Sequence, residues 1–151
     1  MTENIFSTLG VPAPLVAALG ANGITEPFPI QVDTLPDTLA GRDVLGRGKT
    51  GSGKTLAFAI PMVARLGGAL AGGKRRPGHP LGLVPAPTRE LATQVKEELE
   101  PIGAVRDITV SAIYGGADIE KQIKKLKAGV GVTAAPPGRM IDLIDRKELD
   151  L

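Results

Sequence analysis

Residues 48–55 read GKTGSGKT, which fits the spacing G-x-x-x-x-G-K-[ST]. These residue types at this spacing can hold a row of phosphates. Gly48, Gly51 and Gly53 let the backbone curl tightly, through positive φ where the turn requires it. The N–H groups of the loop, those of Lys49, Thr50 and Ser52 among them, then point inward at phosphate oxygens. A helix opening near Gly53 aims its positive end at the same anion. Lys54 reaches the outer phosphates, and the Thr55 hydroxyl is placed to ligate Mg2+. Chemistry on a nucleotide needs a further acid to orient metal and water. An apolar strand ending in Asp would supply it. Glu90, Glu97, Glu98 and Glu100 fall in a helical pattern instead, and so do Asp142 and Asp145. Asp107 precedes a strand pattern, and Glu148 and Asp150 lie at the last residues. None of them ends an apolar strand.

The elements that must position this loop alternate along the chain. Residues 12–19 suit a short helix with Pro12 and Pro14 near its start. Residues 27–40 suit two short helical pieces, opened by Pro29 and by Pro36. Residues 42–48 read as a short strand running into the glycine loop, and 53–66 as a helix with Leu56, Ile60 and Val63 on one face. Strands follow at 81–86, 108–116 and 129–135, and helices at 88–100, 118–127 and 138–146. Thr88 stands where an N-cap belongs. Lys121, Lys124, Lys125 and Lys127 read as a solvated helix face. Residues 67–80 are rich in glycine and proline and read as a flexible surface loop. This alternation predicts an α/β fold, a parallel sheet with helices on both faces. Right-handed crossovers then gather the strand-to-helix loops along one edge of the sheet, where ligands bind.

Composition narrows the classes. The length of 151 residues suits one domain over 1–151, and 42% hydrophobic residues suffice for a packed core. A net charge of +2 permits nucleic acid without demanding it. There is no cysteine, which excludes disulfides and cysteine-based metal sites or nucleophiles. No apolar run approaches a membrane span, and the first residues lack a signal-peptide pattern, so no membrane partner and a cytoplasmic location are expected.

Five further stretches come in a fixed order around the loop: Phe6, GITEPFPIQ (23–31), APTRELA (86–92), YGG (114–116) and PGR (137–139). Together they resemble the N-terminal RecA-like domain of DEAD-box ATP-dependent RNA helicases, over almost the whole chain. The resemblance implies a phosphate-loop NTPase fold with ATP and Mg2+ as cofactors and RNA as partner. It implies that Gln31 reads adenine through an amide that both donates and accepts. It places Phe6 near the adenine, the alternative being a plain core anchor. Ile24 stands where the family has an aromatic, and it covers a base face without stacking. Pro87, Thr88, Arg89, Gly115, Gly116, Gly138 and Arg139 correspond to residues that contact the RNA backbone without reading sequence. For Thr88 the alternative is helix capping, and for Arg89 a surface salt bridge.

Departures from the family qualify these expectations. The D-E-A-D and S-A-T signatures are absent, as is the second RecA-like domain that supplies arginines to the transition state. The sheet is accordingly expected to be incomplete at its C-terminal end. Pro136 replaces a threonine and removes a hydroxyl and an N–H. Pro85 falls in the second strand, where a proline costs a ladder bond unless it stands at the strand's end. Lys54 and Thr55 remain as the candidate catalytic residues. The expected function is the ATP-binding portion of an RNA helicase, which couples ATP binding and hydrolysis to RNA duplex unwinding or remodelling in the full-length protein. The alternative is a truncated or decayed nucleotide-binding fragment, acting as a non-catalytic binding module.

Overall fold

The computed structural model describes residues 4–49, 53–66, 82–106, 108–113, 119–128, 131–147 and 149. The expected loop at 67–80 lies outside them. Among the described residues four helices precede the first strand: α1 (Ile5–Thr8), α2 (Ala13–Ala21), α3 (Pro29–Leu39) and α4 (Lys54–Leu66). Then come β1 (Gly82–Pro85), α5 (Arg89–Ala104), β2 (Val110–Ala112), α6 (Ile119–Ala128), β3 (Val132–Ala135) and α7 (Pro137–Asp145). The strands form a parallel sheet in the order β1-β3-β2. No helix among the described residues is long and apolar enough to cross a membrane.

The strand period of two explains how one short sheet carries two cores. Val84, Val110, Val132 and Ala134 face one side, where they meet Val95, Leu99 and Ile102 of α5, with Leu15, Leu35, Ile60 and Val63 beyond. Ile113 and Ala135 face the other side, together with Ile123 of α6, Met140 and Leu143 of α7, and Leu149. Both faces of the sheet are covered, as the alternation of strand and helix predicts.

Several local expectations need correction. Residues 42–48 form no strand. A strand exists through its ladder, and this segment faces a cavity across from the end of β1 rather than a neighbouring strand. Leu45 is 96% exposed there. Residues 29–39 form one helix that runs through Pro36. Proline leaves the carbonyl of Val32 without its helical donor. Val32 and Pro36 are both exposed, so that carbonyl lies on the solvent side and the helix continues. Helix α5 runs past residue 100 to Ala104 through the similarly exposed Pro101. Helix α1 was not anticipated. Asn4 caps it, its Oδ1 accepting from the Phe6 N–H at 2.8 Å.

Pro85 costs β1 nothing on its paired side. The N–H of Gly82 donates to the Gly131 carbonyl at 2.9 Å, and that of Ala86 donates to the Ala135 carbonyl at 3.0 Å. Alternate residues of a strand point their amides to opposite edges. The even-numbered positions therefore serve β3, and position 85 points to the edge where the described residues place no strand. We expect Pro85→Val to change unfolding free energy by less than about 0.5 kcal/mol. Leu99→Ala, which empties a fully buried site, should cost about 2–5 kcal/mol. Urea unfolding of both variants checks this. A gain above about 1 kcal/mol for Pro85→Val would mean that the proline does interrupt pairing to β3.

Candidate functional site

The site is built around Gly53. Phe28 precedes a proline, which disfavours helical backbone and holds it extended at φ −75° and ψ 158°. Its N–H donates to the Oε1 of Gln31 at 3.0 Å. The Nε2 of Gln31 in turn donates to the carbonyl of Gly53 at 3.0 Å, across 22 residues of chain. The same carbonyl accepts the Ala57 N–H at 3.2 Å and so starts α4. Gln31 is fully buried, and both ends of its amide are engaged, as a buried amide requires. Gly53 has φ +82°, and a Cβ there would stand 2.5 Å from Gln31 Nε2 and 2.6 Å from a ring carbon of Phe28. Backbone conformation and close approach therefore each demand glycine at this position.

Two cavities open near this junction. One, of 530 Å³, is lined by Lys54 and Thr55 at the start of α4, by Leu45 and Gly46, and by Pro85 at the end of β1 and Pro87 beyond it. Lys54 is exposed and Thr55 half-buried. An ammonium, a hydroxyl and a helix N-terminus together suit a polyphosphate. The donor set also fits Mg2+ bound chiefly through phosphate oxygens and water, with one protein hydroxyl. No carboxylate lines this cavity among the described residues. They also contain no cluster of three or more metal-ligating side chains. The other cavity, of 410 Å³, is lined by Ile24, Phe28, Gly53 and Leu56 and faced by Glu97 and Glu98 of α5.

Expected nucleotide residues divide accordingly. Lys54 and Thr55 line the larger cavity, Ile24 and Gly53 line the smaller, and Gln31 is buried behind Gly53. Gly48 and Lys49 lie in the irregular segment leading to the loop, with Lys49 exposed. Thr50, Gly51 and Ser52 lie outside the described residues. Phe6 does not join the site. It is fully buried in the core and lines neither cavity, which corresponds to its core-anchor reading. An apolar ring on a short helix between apolar neighbours is driven inward whatever its motif. Phe28 is the residue that sequence reasoning missed. Its one signal is position: an aromatic between two prolines, three residues before Gln31.

The expected RNA residues gather at one edge. Pro87, Thr88 and Arg89 follow the C-terminal end of β1, and Gly138 and Arg139 follow that of β3. Those ends are paired at Pro85 and Ala135. Thr88 caps α5, its Oγ1 accepting from the Leu91 N–H at 3.2 Å. Arg89 Nε lies 3.1 Å from Glu90 Oε1, with both side chains well exposed. The Glu90 carboxyl is held below the ordinary carboxylate range, first by a hydrogen bond from its own backbone amide and then by Arg89. Arg139 is more committed. Its side chain is 14% exposed and Nη1 lies 3.5 Å from Asp142 Oδ2. Asp142 Oδ1 also takes Arg146 at 3.1 Å. A side chain at Gly138 would meet nothing within 4 Å, so the fold itself does not demand glycine there. Gly115 and Gly116 lie outside the described residues.

Comparison with known proteins agrees with this layout. A family model described as DEAD/DEAH box helicase matches residues 28–151. The DEAD-box ATP-dependent RNA helicase CshA of Streptococcus pneumoniae is 42% identical over 97% of this chain. The match covers 26% of that protein, so the chain spans about a quarter of its relative's length. Among solved structures, a DEAD box protein from Methanococcus jannaschii superposes with TM-score 0.84 at 32% identity, covering 97% of this chain and 38% of that one. The RNA helicase Prp28 from Chaetomium thermophilum, bound to ADP, superposes with TM-score 0.85 at 36% identity, covering 95% and 34%. The fold is thereby the RecA-like one.

Two substitutions test the junction by thermal or chemical unfolding. Gly53→Ala combines a positive φ with a close approach and should cost about 1–3 kcal/mol. Gln31→Ala removes a donor and an acceptor from a buried site and should cost about 1–3 kcal/mol. Near-neutral results for both would show that α3 and α4 are not held through this contact.

Proposed function

This chain belongs to the DEAD/DEAH box helicase family, and on that premise we propose that it binds ATP with Mg2+ at the start of α4. In this reading residues 1–151 act as the ATP-binding portion of a cytoplasmic RNA helicase, coupling ATP binding and hydrolysis to RNA duplex unwinding or remodelling in the full-length protein. The observation that carries the reading is the geometry at Gly53. Its positive φ turns the chain into α4 with Lys54 and Thr55 beside an open cavity.

Each residue then has a task. Lys54 pairs with the outer phosphates, and its charge remains where transferred charge would accumulate. The Thr55 hydroxyl is the protein's ligand to the metal. Mg2+, when bound there, would neutralise charge on the phosphates. Gln31 holds Gly53 in place from behind and presents the adenine-reading amide that the resemblance implies. Thr88, Arg89 and Pro87, with Gly115, Gly116, Gly138 and Arg139, contact the RNA backbone, a mode that gives affinity without sequence preference. Arg139 must leave Asp142 to do so.

Binding and turnover separate at this point. Hydrolysis requires an acid to position metal and water, and a cation at the transferring phosphoryl group. The second RecA-like domain of the family supplies the cation. No described carboxylate reaches the cavity that holds Lys54 and Thr55. We therefore expect this chain to bind ATP and not to hydrolyse it unaided.

Isothermal titration with ATP and Mg2+ tests the first half. Lys54→Ala should weaken binding at least about tenfold, the loss of one strong charge-assisted contact. A phosphate-release assay with added RNA tests the second half and should read background. RNA-stimulated turnover by the chain alone, abolished by Lys54→Ala, would overturn it.

A further inference from the structure

Three charged side chains follow one face of α7 and its C-cap. Arg139, Asp142 and Arg146 stand three and four residues apart, the spacing that makes neighbours on a helix. One carboxylate serves both cations. Asp142 Oδ2 lies 3.5 Å from Arg139 Nη1, and Asp142 Oδ1 lies 3.1 Å from Arg146 Nε. The shorter contact, to Arg146, is also a hydrogen bond.

The two halves of this network are unequal. Arg146 stands at the C-terminal end of α7, where the helix dipole favours a cation, and its acidic partner precedes it in the chain, which is the better order. Arg139 stands in the first turn, where the dipole opposes a cation, and its partner follows it. The less favoured cation is nevertheless the less exposed one, at 14% against 51% for Arg146. A guanidinium held that far out of water needs a counter-charge. Among the described residues Asp142 supplies it.

We propose that Asp142 is a latch that withholds Arg139 from RNA, and that Arg146 sets the strength of the latch. The proposal rests on the RNA-edge reading given above. While the carboxylate is engaged, Arg139 lies against its own helix. A phosphate oxygen that takes over as counter-ion releases it. Arg146 offsets part of the negative charge felt at Arg139 and so keeps the latch weak enough to yield. Asp142 and Arg146 are positioning residues, and both act through Arg139.

Fluorescence anisotropy of the 151-residue chain with a labelled oligouridylate of about ten nucleotides, at low salt, tests this. Asp142→Asn should tighten binding about 2- to 5-fold beyond Asp145→Asn, the range of a part-exposed ion pair. Asp145 is exposed on the same helix, so its amide variant measures the plain effect of removing one negative charge. Asp142→Glu, which keeps a carboxylate in reach, should bind as the parent does. In an Arg139→Gln background the extra gain of Asp142→Asn should vanish. Arg146→Gln should weaken binding in the parent and much less in Asp142→Asn. Circular dichroism melts check that each variant folds. An Asp142→Asn affinity no tighter than that of Asp145→Asn overturns the latch, and so does a gain that survives Arg139→Gln. An Arg146→Gln effect equal in both backgrounds overturns the role of Arg146. After any of these results, a loss of affinity in Arg89→Gln leaves the RNA-edge reading standing. That reading falls, and the latch with it, when neither Arg89→Gln nor Arg139→Gln changes affinity in any background, or when the parent chain binds no RNA.

Discussion

The hydrogen bond from Gln31 to the carbonyl of Gly53 is the constraint on which the rest of the site depends. It joins helices far apart in sequence at the point where one begins. A buried amide must find partners for its donor and acceptor together, and here one partner lies in each of the segments being joined. Oε1 fixes the entry to α3 through Phe28, and Nε2 fixes the entry to α4 through Gly53. The absence of a side chain at Gly53 is therefore a matter of distance as much as of backbone freedom. Any added carbon would push Phe28 and Gln31 away and open the contact.

The ends of β1 and β3, beside the cavity that holds Lys54, have a different character. Its candidate RNA residues follow the ends of adjacent parallel strands, so topology alone brings them near each other. Their charges are not idle, however. Arg89 leans on Glu90, an exposed pair of the kind that contributes little to stability and is readily exchanged. Arg139 is tied to a carboxylate that also serves Arg146, and it is largely out of water. A phosphate strand arriving at this edge competes with protein carboxylates for both arginines. The exchange is easy at Arg89 and harder at Arg139.

Much of this was legible in the sequence, for reasons that are local. The N-cap at Thr88 and the helical spacing of Val95 and Leu99 depend on neighbours a few residues away. The alternation of strands and helices gave the layered fold by the same logic. What could not be read depended on distant partners. The segment 42–48 carries Val44 and Leu45 and precedes the glycine loop as a strand would, yet a strand also needs a ladder, and the segment faces a cavity instead. Phe6 and Phe28 are the same residue type in the same region. Only packing decides that the first fills the core and the second meets solvent. Pro36 looked like a break because sequence does not reveal that its orphaned carbonyl points outward.

Pro85 has a consequence beyond its own strand. Among the described residues no strand pairs with the far edge of β1, and an edge of this kind presents backbone groups that could template a second copy of the chain, the usual route to sheet-mediated aggregation. A strand laid along that edge finds a proline with no hydrogen to offer, just where the edge meets the cavity that holds Lys54. Its carbonyl there stays unpaired, which penalises indiscriminate partners and tolerates only one shaped to place a different donor at that spot. One residue thus makes that edge a poorer template for a further strand.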